Sequence, residues 1–514
     1  MKKNIKNIVI AFGIGTMALT ACKKELSLSP ISNLSEESYW KTPDQFDAFV
    51  AGVHARFRNH TTNFEYLGEL RSGIYGTDPG STAAFTGEAP QGFERMWLHT
   101  LDVDNSGVSN FGGFYDNINQ LNLLIEKLNS TTLLTEPVKN NYLGIAYGMR
   151  AFYYFQLYRT WGPVIIQTQS TATIDVANLA KPASSEAEVM TQIKADIDQS
   201  NASFGTDYSF SAKLKKAYWS KSATQMLKAE VYLWTAHRTG GMADATVAKT
   251  ALTDIQANVA GLALLPNYAD VFVAANKDHS EMIFATRNKL NESGLGFISN
   301  FVPQSSLIVN FSDSLTNRKF DVVTDNYGGL LRAPTRIATY RKFSNEDSRK
   351  NVTIQPAYSK GADGNFTIAG AFLRKYQGEQ NAGSRAYTND FPIYRYADLL
   401  LLLAEAKVEL GESPATEINL VRSRAYGSKY DAATLGFPNQ AIDADAREAI
   451  LQERLLEFIG EGKRWYDLRR MGDKYVFSKT GLSSAEAYKL LWPIDRSTLT
   501  NNRALVQTEG YPKF

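Results

Sequence analysis

Apolar residues recur at helical spacing through much of the chain. From 136 to 160, Val138, Tyr142, Ile145, Met149 and Phe152 follow at steps of four and three, which puts them on one face of a helix. Thr135 and Pro137 predict its start, and Gly162-Pro163 predicts its end. Gly144, Gly148 and Ala151 are small enough to let a neighbouring helix come close. Residues 116–128 carry Ile118, Leu121, Ile125 and Leu128 on one face, and the short link to 136 predicts an antiparallel helix pair. Residues 185–203 open at Ser185 with Glu188 three positions on, the spacing of a capping box. Residues 216–238, 244–260, 396–410 and 444–459 repeat the amphipathic period. Two long stretches do not. Residues 60–112 are rich in Gly, Ser, Thr and aromatics, and 270–390 mix short alternating runs with turn signals.

Ala151/Phe155, Ala229/Leu233 and Ala404/Val408 each place alanine four before a large apolar residue. Pro163 falls where a tetratricopeptide repeat carries its proline. Together with several helix pairs, this predicts a mainly α fold: a tetratricopeptide-repeat-like helical superhelix with long irregular insertions at about 60–112 and 270–390. Loops of that length are usually functional or carry small structure of their own, so the ligand-binding region is expected there. The composition, 44% hydrophobic and 21% charged, fits one large globular body.

The N-terminus has its own pattern. Lys2, Lys3 and Lys6 precede an uncharged apolar run from Ile8 to Leu19, and Leu19-Thr20-Ala21 lead into Cys22, the single cysteine of the chain. This is the three-part layout of a secretory signal peptide over residues 1–21. The run has 12 residues, short of the ~20 that a spanning helix needs. The Leu-Thr-Ala-Cys ending resembles the lipobox of bacterial lipoproteins, in which the cysteine is acylated and becomes the mature N-terminus. Residues 22–34 would then be a lipid-anchored tether, and 35–514 the folded domain. Removing the leader takes the net charge from +2 to −1. A near-neutral body lacks the basic footprint that nucleic acid requires.

Motifs for catalysis and cofactors are missing. Gly460 to Arg464 looks like part of a phosphate loop, but Glu457 and Arg464 stand where a Walker motif needs Gly and Ser or Thr. Asp102 to Gly107 opens like a calcium loop, yet its twelfth position is Gly113 rather than Glu. None of the five histidines has a partner four residues on. Glu453, Glu457 and Glu461 repeat every four residues near Arg454, Arg464, Asp467 and Arg469, and predict a partly buried ion-pair network in which arginines bridge like charges. No cofactor and no metal site is expected.

Several blocks resemble one family, the SusD/RagB nutrient-binding lipoproteins of Bacteroidetes. After the lipobox come "SEESYWKTPDQFDAFVAGVHARF" (35–57) and "RAFYYFQLYRTWGPVII". The most specific blocks are "NDFPIYRYADLLLLLAEA" (389–406) and "ILQERLLEFIGEGKRWYDLRRMG" (450–472). The resemblance implies a SusD-like fold and a binding protein rather than an enzyme. It implies outer-membrane attachment through acylated Cys22, a nutrient ligand, and a SusC-like TonB-dependent transporter as partner. A glycan is the favoured ligand. Peptide capture, as in RagB-like members, is the alternative, and a lipid-anchored glycan hydrolase is a third reading.

A sugar ring has an apolar face for aromatics and a hydroxyl edge for polar groups. The candidates in the first irregular region are Tyr66, Arg71, Tyr75, Asp78, Trp97 and Phe111, and in the second Phe297, Phe301, Tyr327, Arg332 and Tyr340. The two regions are expected to face each other across one shallow site. Trp97, amid Gly and polar residues, is the expected stacking platform.

Overall fold

The computed structural model describes residues 39–78, 85, 87–107, 111–171 and 180–513. The expected leader, tether and acylated Cys22 lie outside the described residues. Helix α1 (Pro43–Asn59) starts at a capping box between Thr42 and Gln45. It is followed by α2 (Thr61–Glu69), α3 (Tyr115–Ser130), α4 (Glu136–Trp161), α5 (Glu186–Phe204), α6 (Lys221–Thr235) and α7 (Gly241–Asn258). A π-helical turn, Ala236–Gly240, separates α6 from α7. Beyond the second insertion come α8 (Tyr396–Glu409), α9 (Ala415–Tyr426), α10 (Ala446–Phe458) and α11 (Arg464–Met471).

Packing follows chain order. Helix α3 lies on α4, α4 on α5, α5 on α6 and α6 on α7; α8 then packs on α7, α9 and α10. This succession is the expected repeat-like superhelix. Ser185 accepts from the Glu188 N–H, and the Ser185 N–H donates to the Glu188 side chain at 2.9 Å, completing the expected capping box. Helix α4 runs through the interior: every residue from Gly148 to Trp161 is buried. A Cβ on Gly148 would lie 2.2 Å from the Trp219 indole nitrogen and 2.9 Å from the Ser200 and Thr224 hydroxyls. Glycine there lets α5 and α6 close onto α4. Among the described residues, no helix is long and apolar enough to cross a membrane.

The insertions are more ordered than their patterns predict. Helix α2 lies inside the stretch read as irregular, and seven of its nine residues are buried. A helix wetted on no side shows no polar stripe. The second insertion contains β1 (Met282–Thr286), β2 (Ser312–Asp313), β3 (Arg318–Lys319), β4 (Ile354–Lys360), β5 (Phe366–Leu373), a β6–β7 hairpin (Glu379–Asn381, Ser384–Ala386) and β8 (Phe391–Arg395). Strands β3-β2-β4-β5 form one antiparallel sheet, and β1 pairs with β8.

A buried ionic network ties this insertion to the helical body. Arg395, from the end of β8, reaches Glu457 at 2.6 Å, Glu281 at 2.7 Å and Glu461 at 2.8 Å. Arg349 joins Asp347, Glu453 and Glu457, Lys375 joins Glu461, and Arg422 joins Glu453 and Asp443. Surrounding guanidinium groups hold the Glu457 carboxyl far below the usual range despite its burial. The expected network therefore exists, with one correction. The bridging arginines come from other segments, with Arg454 joining Asp398 and Asp467. Arg464 and Arg469 donate instead to the carbonyls of Leu451 and Arg159.

Candidate ligand-binding seam

The two insertions meet edge to edge. Tyr75 bridges Thr335, the Gly76 N–H donates to the Pro334 carbonyl at 2.8 Å, and the Arg336 N–H donates to the Ile74 carbonyl at 3.0 Å. The Asp78 carboxylate accepts from the Ile337 and Ala338 N–H groups at 2.7 and 3.2 Å. Further along, the Glu88 N–H donates to the Leu330 carbonyl at 2.8 Å. Backbone contacts of this kind set the register of one loop against the other.

Half-buried polar groups line the seam. Arg332 donates to Glu88 at 3.0 Å, and Gln304 donates to the other oxygen of Glu88 at 2.8 Å. Asn300 donates to the Tyr66 hydroxyl at 2.6 Å. The half-buried ring of Phe93 meets Tyr66 edge-on, with centroids 5.3 Å apart. The Arg332 Nε and the Asn300 Oδ1 have no partner among the described residues. Both atoms are buried, and it is the partly open side chains of Arg332, Glu88, Gln304 and Phe93 that suit a hydroxyl-rich ligand. Burial raises the Tyr66 phenol well above its ordinary range, so it stays a neutral donor and acceptor.

Of the residues named from sequence, Asp78 and Arg332 lie on this seam with part of their surface open, and Tyr66 stands behind it. The others are buried beneath or away from the seam. Trp97 is only 8% exposed and its ring is pressed against Gly76, so it presents no free face. Tyr75 is fully buried and donates to Glu69 at 3.0 Å. Phe301 sits in the core against Tyr66 and Tyr75, as do Phe111 and Phe297 among their own neighbours. Arg71 is fully buried, donates to the Lys489 carbonyl and lies over the Trp465 ring at 4.4 Å. Tyr327 packs on Phe372, and Tyr340 donates to Asn351. Rings in a stretch without periodicity read as loop residues, yet here they form the floor under the loops. Glu88, Phe93, Asn300 and Gln304 were missed, because no spacing or charge pattern sets them apart.

Four other carboxylates, Glu65, Glu69, Asp102 and Asp104, are occupied or out of reach. Glu65 and Glu69 on α2 are fully buried and near each other. Glu69 accepts from the Gly460 N–H at 3.0 Å, and burial pushes its carboxyl up to about 7. No substrate reaches either group in this conformation. In the calcium-like stretch, Asp102 accepts from the Asp104 and Asn105 N–H groups and pairs with Arg95, while Asp104 pairs with Arg496. These contacts are those of a turn held by arginines.

Comparison with known proteins gives a consistent picture. The SusD family model matches residues 335–511, and a second, described as "Starch-binding associating with outer membrane", matches residues 85–233. The solved structure of B. fragilis NanU is 44% identical, with a TM-score of 0.86, over 94% of this chain and all of that one. A SusD superfamily protein from Bacteroides vulgatus is 43% identical, with a TM-score of 0.84, over 92% of this chain and all of that one. Starch-binding protein SusD of Bacteroides thetaiotaomicron is 30% identical over 130 residues, 24% of this chain and 22% of that protein. From the helical body through the strand-bearing insertions, the chain belongs to the SusD family.

Proposed function

We propose that this chain is a cell-surface lipoprotein that captures an oligo- or polysaccharide at the seam and delivers it to a SusC-like TonB-dependent outer-membrane transporter. The observation that carries the reading is the partly open cluster of Arg332, Glu88 and Gln304 on the same seam as the half-buried Phe93 ring. Their chemistry matches a sugar's hydroxyl edge and apolar face. Glycan recognition also agrees with the starch-binding description of the family model over residues 85–233. Attachment to the outer membrane through Cys22 follows from the lipobox. A binding role is favoured over hydrolysis in that one close carboxylate pair, Glu65 and Glu69, is sealed in the interior. Hydrolases keep their two carboxyl groups open to the glycosidic bond.

Titration with starch-derived and β-glucan oligosaccharides, with short peptides as the comparison set, tests the proposal. Arg332 pairs with Glu88 at a partly open position, so Arg332→Ala should change stability by no more than about 1 kcal/mol. Its affinity for the bound oligosaccharide should fall about tenfold or more, as expected when a charged hydrogen-bond donor is removed. Binding of peptides alone would select the RagB-like reading instead.

A further inference from the structure

A cavity of about 750 Å³ opens between the start of α5 and the C-terminal segment, and it shares none of the seam residues named above. Its walls include Trp161, Leu491 and Val506, and Arg469 contributes to its lining. The volume lies within the range of small-molecule sites. Arg469 is 7% exposed. It donates one N–H to the Arg159 carbonyl and lies over the Trp234 ring at 5.3 Å, its Nε is sealed from solvent, and no carboxylate lies within ion-pairing distance among the described residues. The charged groups around it are Arg238, Arg71 and Asp473, and burial lowers its pKa to about 10. It therefore remains a cation at neutral pH. A buried guanidinium without a counter-ion is costly, and a bound carboxylate with two oxygens fits its fork geometry.

We propose that this cavity is a second binding site, for a small amphipathic carboxylate whose head meets Arg469 and whose apolar body lies along Trp161, Leu491 and Val506. The exposed Glu186 and Glu509 also border the cavity. They lie in water, where their repulsion of the head group is screened. If they dominated, an ammonium ligand would be preferred, so the sign of the head group is the decisive readout.

Octanoate, octylammonium and octanol share one tail and differ in the head. Calorimetric titration of the full chain should show octanoate binding about tenfold or more tightly than the other two. Arg469→Met should abolish that preference, and Arg469→Lys should retain part of it. Val506 is 71% exposed, so Val506→Trp narrows the mouth without disturbing the core. That variant should weaken octanoate while leaving oligosaccharide titrations unchanged, which separates this site from the seam. The proposal is overturned if wild type binds no octanoate, if octylammonium or octanol binds as tightly, or if Val506→Trp binds octanoate as wild type does. Should Arg469→Met fail to fold, the Val506→Trp and head-group comparisons still decide.

Discussion

Glu65 is fully buried, and burial plus the nearby Glu69 raises its carboxyl well above the ordinary 4.5. Its contribution to stability is therefore present in full below the unfolded value and is lost as pH rises toward the folded one, since the folded state binds the extra proton. Glu69, held at about 7, adds a similar loss that levels off above that value. Glu65→Gln keeps the shape and cannot ionise. Its melting temperature relative to wild type should rise between about pH 5 and pH 8, and a difference independent of pH would contradict the assignment. Trp97 makes the complementary case. Its burial makes Trp97→Ala a core truncation, with an expected loss of about 3–5 kcal/mol in denaturant titration. Unchanged stability with lost glycan affinity would restore the stacking role expected from sequence. Its burial was not legible for a physical reason: in a stretch with no period, sequence cannot say whether an aromatic ring points out or in.

Among the elements, the long helices were legible. Helices α3 to α7 stand where their apolar stripes and caps place them. Helix α2 was not legible, because nine residues, seven of them buried, are too few to display a period, and it ends against the turn before α11. A Cβ on Gly68 would lie 1.7 Å from the Gly462 carbonyl oxygen. That backbone cannot yield as a flexible side chain would. Gly68→Ala should therefore push α2 off the turn, costing about 3 kcal/mol or more by the scale of overpacking effects. Thermal unfolding measures this, and a neutral outcome would show that the close approach is not needed. The four-stranded sheet escaped notice because burial along β4 and β5 runs in blocks rather than alternating. The network between α10 and the second insertion was half legible. The repeated glutamates marked it, but Arg349, Lys375 and Arg395 come from distant segments that only the fold brings together.

For the whole molecule, the network and the seam form one mechanical unit. The network fixes the second insertion to the helical body, and the seam joins that insertion to the first. Anchoring through Cys22 is a separate part of the proposal. Cys22→Ser should leave the protein unacylated and outside the membrane fraction, as read by fractionation and mass spectrometry. An acylated Cys22→Ser protein still in the outer membrane would contradict the lipobox reading. The central claim, capture without turnover at the seam, is tested most directly by one paired measurement. Wild type and Arg332→Ala are titrated with the same oligosaccharide panel, and each mixture is then assayed for new reducing ends. Wild type should bind, Arg332→Ala should bind about tenfold or more weakly, and neither should yield new reducing ends. Equal affinity in both proteins, or release of reducing ends by wild type, would contradict the claim.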